Sequence, residues 1–119
     1  MAAIQKFTDI KAWQLAHAFV LVISELTKGF PKHEQYCLTS QLWRTTVSIA
    51  ANIVEGFYRN TAKERLRFYE IAMSSLEETK YYLILAKDLK YITIEEARSL
   101  YTQANEDGQT LRGWMKTTK

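Results

Sequence analysis

One cysteine, one proline and four glycines are all that 119 residues contain of these types, and each scarcity closes off a class of protein. A lone Cys37 can form no intramolecular disulfide, so a cystine-stapled secreted scaffold is excluded, and the thiol is expected inside as a small hydrophobe in a reducing compartment. So few glycines and prolines cannot supply the closely spaced turns of an all-β fold. The longest apolar run, Ala18 to Ile23, is far short of the roughly 20 residues of a membrane span. No basic stretch followed by an apolar segment opens the chain, so a cytoplasmic protein without membrane contact is predicted.

The chemistry-bearing residue types are equally sparse. His17 and His33 are the only histidines, and neither has a second ligand four residues away or lies in a His-Glu-x-x-His pattern. No metal and no cofactor is predicted, and His33 reads as an exposed loop residue. Neither a glycine-rich phosphate loop nor a Gly-x-Ser-x-Gly elbow occurs. Glu55 and Glu78 are a pair of carboxylates that helix packing could bring together, but a packed bundle offers them no open pocket, and no enzymatic activity is expected.

What remains is a chain 47% hydrophobic and 24% charged, ordinary for a folded domain, in which the helix formers Ala, Leu, Lys, Glu and Gln are plentiful. Four helices are predicted, at about 9–29, 37–57, 62–89 and 94–115. Gly29, Phe30 and Pro31 end the first; Gly56 reads as the stop of the second; Thr61 with Glu64, and Thr93 with Glu96, have the spacing of capping boxes that open the third and fourth. Short connections favour antiparallel neighbours, so the architecture is an all-α up-down-up-down four-helix bundle in a single domain.

Apolar residues on the first helix form two stripes, Ile10, Trp13, Ala16, Val20, Ile23 and Thr27 beside Leu15, Phe19, Val22 and Leu26. Leu38, Leu42, Thr46, Ile49 and Ile53 make the inner face of the second. Ala97, Tyr101, Ala104, Gly108, Leu111 and Met115 share a face of the fourth. The third helix is apolar around most of its circumference, with Lys63, Arg67, Glu70, Glu77 and Asp88 in a narrow polar sector. One core cannot hide so much, and association of several copies is expected.

Two constellations stand out. Arg44, Ser48, Asn52 and Glu55 follow at spacings of four, four and three on a helix whose flanks are Val47, Ile49, Ile53 and Val54. They are read as a structural polar network joined by Ser75 and Glu78, with Arg44 buried against Glu78 or an acid of a neighbouring subunit. The second is a basic cluster of Tyr58, Arg59, Lys63, Arg65 and Arg67, with Arg112, Lys116 and Lys119 closing the chain after its last acid. Cations beside an aromatic suit contact with phosphates, and a net charge of +3, multiplied around an oligomer, becomes a substantial field.

The segments FTDIKAWQLA at 7–16, LTSQLWRTTVSIAANIVEG at 38–56, RFYEIAMSSLEE at 67–78 and LILAKDLKYI at 83–92 resemble, in this order, the four-helix-bundle family of ribosomal RNA intervening-sequence proteins. The family's Ser-Ile-x-x-Asn-Ile-x-Glu-Gly text is met by Ser48, Ile49, Asn52, Ile53, Glu55 and Gly56. Val54 stands where a small residue is usual, Trp43 where a second arginine often stands, and Ser74 where glycine is common. The resemblance implies a four-helix bundle, ring-shaped homopentamers and no enzymatic activity. Family genes lie inside intervening sequences of large-subunit ribosomal RNA, and related accessory proteins of diversity-generating retroelements bind nucleic acid and work with a reverse transcriptase. The implied function is therefore an oligomeric, nucleic-acid-associated scaffold for RNA or DNA. A protein-binding accessory subunit, for example of a reverse transcriptase, and a structural ring without a nucleic-acid role are the alternatives.

Overall fold

The computed structural model describes residues 3–119 as four helices: α1 (Lys11–Thr27), α2 (Leu38–Phe57), α3 (Ala62–Asp88) and α4 (Ile94–Lys116). Short 3₁₀ turns at Phe7–Asp9 and Lys32–Glu34 lead into α1 and α2, and no strand occurs among the described residues. The particle measures 46 × 25 × 19 Å, so its long dimension is little more than the ~40 Å length of α3. Each helix packs on the next in sequence, and α4 returns against α1.

The helix ends follow local chemistry. Thr93 and Glu96 complete a reciprocal capping box at α4, with the Glu96 N–H donating to Thr93 Oγ1 at 3.0 Å and the Thr93 N–H to Glu96 Oε1 at 2.8 Å. At α3 half of that box forms: the Glu64 N–H donates to Thr61 Oγ1 at 3.1 Å. After α1, Gly29 is exposed and Phe30 turns back into the core before Pro31. Gly56 is not a stop. It lies inside α2, buried, where Phe68 and Tyr69 of α3 press against it.

The core is a column of Ile10, Phe19, Ile23, Leu42, Ile53, Tyr69, Leu76, Leu83 and Leu111, each about 2% exposed or less. All five predicted inner residues of α2 are buried. On α4 the buried stripe is Ala97, Leu100, Ala104, Asp107, Gly108 and Leu111; Tyr101 faces outward, against the expectation from sequence. Of the apolar residues around α3, most are buried or half-buried, and Ile71, Tyr81, Ile84 and Leu89 remain exposed. The bundle therefore hides more of α3 than its sequence promised. On the outer face of α2, Trp43 is 50% exposed beside Val47, Ala51 and Val54, and Leu21, Tyr36 and Ile94 are other large apolar side chains left open to solvent.

Cys37 is exposed at the entry to α2, not buried as expected. The cause lies next to it. Glu34 Oε1 accepts the Leu38 N–H at 3.3 Å and Glu34 Oε2 accepts the Tyr91 hydroxyl at 2.7 Å, so the loop is pinned through Glu34 and Leu38 fills the core. The Tyr91 bond holds the Glu34 carboxyl below the usual carboxylate range and pushes the Tyr91 phenol up. His33 is exposed, with Nε2 3.3 Å from the same hydroxyl.

Candidate nucleic-acid interface

The polar residues of α2 divide into two groups. Ser48 Oγ lies 2.8 Å from Ser75 Oγ of α3, and Asn52 Nδ2 donates to the Ser48 carbonyl at 2.8 Å and to Ser48 Oγ at 2.9 Å. One turn away, Thr45 and Thr79 are buried with their hydroxyls 2.8 Å apart, while Thr79 Oγ1 donates to the Ser75 carbonyl at 2.8 Å. A hydroxyl carries one proton. The single Thr79 proton is shared between Thr45 Oγ1 and the Ser75 carbonyl, while the Thr45 hydroxyl donates to the Leu42 carbonyl at 3.4 Å. The pairs 45 with 79, 48 with 75 and 56 with 69 run in opposite numerical directions along the two helices.

Arg44, Glu55 and Glu78 lie outside this seam. Arg44 is exposed and forms no ion pair among the described residues, Glu55 accepts from Arg59 at 2.9 Å, and Glu78 accepts the Tyr82 hydroxyl at 2.8 Å. The buried Arg44–Glu78 pair expected from sequence is therefore not made within the chain. Helical geometry gives the reason: residues four apart drift by about 40° per step, so a stripe that faces α3 at Asn52 and Ser48 has turned toward solvent by Arg44. Thr79 was not singled out in the sequence, although its place between Leu76 and Leu83 on the core face marks it. Thr79→Val, which keeps the shape and removes the hydroxyl, is expected to lower stability by about 1–2 kcal/mol in urea unfolding, because Thr45 loses its buried partner.

At the end of the bundle where α2 passes into α3, the two basic groups of the sequence come together. Arg65 donates to the Arg59 carbonyl at 3.0 Å and also to the carbonyl of Lys119. Trp114 of α4 sits 6.3 Å from Phe57 and 6.4 Å from Tyr69, and Phe7, ahead of α1, sits 6.5 Å from Tyr58, all between ring centroids. Residues 6–11, 55–70 and 112–119 thus share one end, and they hold nine of the chain's 16 lysines and arginines against four of its 13 acids. That end carries a surplus of five positive charges, and the remainder of the chain is slightly acidic.

The cations differ in availability. Arg59 is held by Glu55 and lies 4.6 Å from the centre of the Phe68 ring, and Arg65 braces the loop and the C-terminal residues. Lys63, Arg67, Arg112 and Lys116 are exposed and form no ion pair among the described residues. Tyr58 is 60% exposed. Sequence reasoning missed the aromatic neighbours Phe7, Trp13 and His17; Trp13 and His17, four apart on α1, were a signal for them. Among the described residues no group of three His, Cys, Asp or Glu side chains is placed to hold a metal ion, and no helix is long and apolar enough to cross a membrane.

The geometry accords with known proteins. A crystal structure from Bacteroides thetaiotaomicron, described as a protein of unknown function from the S23 ribosomal protein family, superposes with a TM-score of 0.81. It is 26% identical and covers 89% of this chain and 99% of its own. No curated protein matches the sequence. The pattern of the family described as 23S rRNA-intervening sequence protein matches residues 8–113, which take in the whole of the seam and most of the basic end. The chain therefore belongs to the 23S rRNA-intervening sequence protein family.

Proposed function

We propose that this protein is a non-enzymatic scaffold that binds the phosphate backbone of nucleic acid through the basic end of an antiparallel, up-down-up-down bundle. The single observation that carries the reading is the gathering of Lys63, Arg67, Arg112 and Lys116, exposed and unpaired within the described chain, at an end with nine cations and four acids. Such a surface neutralises phosphates regardless of base sequence and releases their counterions. Association of copies through the outer face of α2 would cover Trp43 and offer Arg44 an acid on a neighbour. A closed ring, five subunits by family resemblance, repeats the basic end once per subunit. A cytoplasmic location fits this reading.

Affinity for single-stranded RNA and DNA should then fall steeply with salt. Changing Lys63 and Arg67 together to Gln is expected to flatten the dependence of log affinity on log salt by about 1.4, for two lost contacts to a single strand. The loss should be similar for every sequence tried. Binding that ignores salt, or none, would transfer the reading to a protein-binding accessory subunit, of a reverse transcriptase or similar enzyme, docked on the α2 face. Light scattering decides the assembly: a particle at the 13.9 kDa of one chain would remove the ring.

A further inference from the structure

Beside the basic end lies a run of four aromatic rings that phosphate contact does not require. Tyr58, following α2, stands 6.5 Å from Phe7; Phe7 stands 5.1 Å from Trp13; and Trp13 stands 5.0 Å from His17, centroid to centroid. The last pair is stacked at an interplanar angle of 5°, and His17 is exposed. Tyr58 is held edge-on by Phe57 at 5.0 Å as well as by Phe7, yet the residue is 60% exposed. Ordinary core filling would have buried it. Lys6, Lys11 and Arg59 flank the run, all exposed.

We infer that this strip is a base-stacking platform and that the nucleic acid taken by the basic end is single-stranded, with one base on Tyr58 and the strand passing toward His17. The inference rests on the phosphate-binding reading above and adds the form of the ligand. A duplex keeps its base faces inside its own stack, so exposed rings gain nothing from it, whereas every unpaired base offers a π-face. A second copy of the same end is a poor occupant, because two surfaces each with an excess of cations repel. A polyanion with free aromatic faces matches both the charge and the rings.

The test compares three labelled ligands by fluorescence anisotropy at low salt: single-stranded oligo(dA), an abasic strand of equal length, and a blunt duplex, with the RNA strand in parallel. Single strands should bind more tightly than the duplex. Tyr58→Ala should weaken oligo(dA) about fivefold or more, leave the abasic strand unchanged, and be rescued by Tyr58→Phe. Because Tyr58 is exposed, the fold should be unaffected, and an unchanged melting curve checks this. Equal affinity for the duplex, no effect of Tyr58→Ala, or an equal loss on the abasic strand would overturn the platform while leaving salt-dependent phosphate binding intact. Absence of salt-dependent binding to every ligand would overturn both.

Discussion

Gly56→Ala is expected to destabilise the protein by about 2 kcal/mol, although alanine is the better helix former. A Cβ at this position would lie 2.6 Å from Tyr69 Cε1, 3.0 Å from Tyr69 Cδ1 and 3.0 Å from Phe68 Cβ. Carbon atoms pack at roughly 3.5–4.0 Å. Tyr69 cannot yield, since it is 1% exposed and wedged among the core side chains of α3 and the Trp114 ring. The remaining route is to separate α2 from α3, which stretches the 2.8 Å contacts of Ser48 with Ser75 and Thr45 with Thr79. Overpacking of this kind costs roughly 1–3 kcal/mol, with the upper end applying here, and loss of glycine from a helix returns at most about 1 kcal/mol. Gly113 provides the opposing case. It is exposed on α4 with nothing within 4 Å of its Cβ position, so Gly113→Ala should stabilise by roughly 0.5–1 kcal/mol. Urea midpoints moving in opposite directions are the expected result, and a Gly56→Ala protein as stable as the parent would refute the close contact.

This glycine shows where the sequence is and is not legible. A Gly near the end of a helical pattern reads as a terminator, yet α2 continues through Phe57, and no glycine has positive φ. What fixes the residue is the space that Tyr69 needs, a fact of the partner helix that no local pattern contains. Helix ends set by local chemistry were legible: Thr61, Thr93 and the Gly29-Phe30-Pro31 stop place the boundaries within a few residues. The inner face of α2 was legible too, because Leu38, Leu42, Thr46, Ile49 and Ile53 keep the helical period. Tyr101 and Leu100 exchanged places because adjacent residues both fall near the edge of a broad apolar stripe, and only the position of α3 decides between them. Arg44 misled through its spacing of four, which looks like one face but drifts around the helix. In the basic end, the cations were legible as clusters, but their meeting from two distant segments depends on the bundle, as does the aromatic run beside them.

The largest pH effect is expected from Asp107, which sequence reading passed over despite its place three residues after Ala104 and four before Leu111. It is 5% exposed on the core face of α4, and its Oδ2 is buried without a hydrogen-bond donor. Burial, and secondarily the neighbouring Glu106 charge, push its carboxyl up to about 7. In the unfolded chain the group titrates near 3.9. Between these values the folded state holds a proton that the unfolded state has released, so stability falls as pH rises through this window, by up to about 1.4 kcal/mol per unit, and levels off above about pH 7. A neutral side chain of the same size removes the penalty. Asp107→Asn should match the parent near pH 4 and exceed it by roughly 2–4 kcal/mol at pH 8, the gap opening steadily between. Glu34, whose pKa is lowered, works in the opposite sense, adding stability above its unfolded pKa that is lost on acidification; it is common to both proteins and cancels in the comparison. Urea unfolding of the pair across this range measures the difference directly. A gap that stays constant from pH 4 to pH 8 would mean that the Asp107 carboxyl does not hold its proton in the folded bundle.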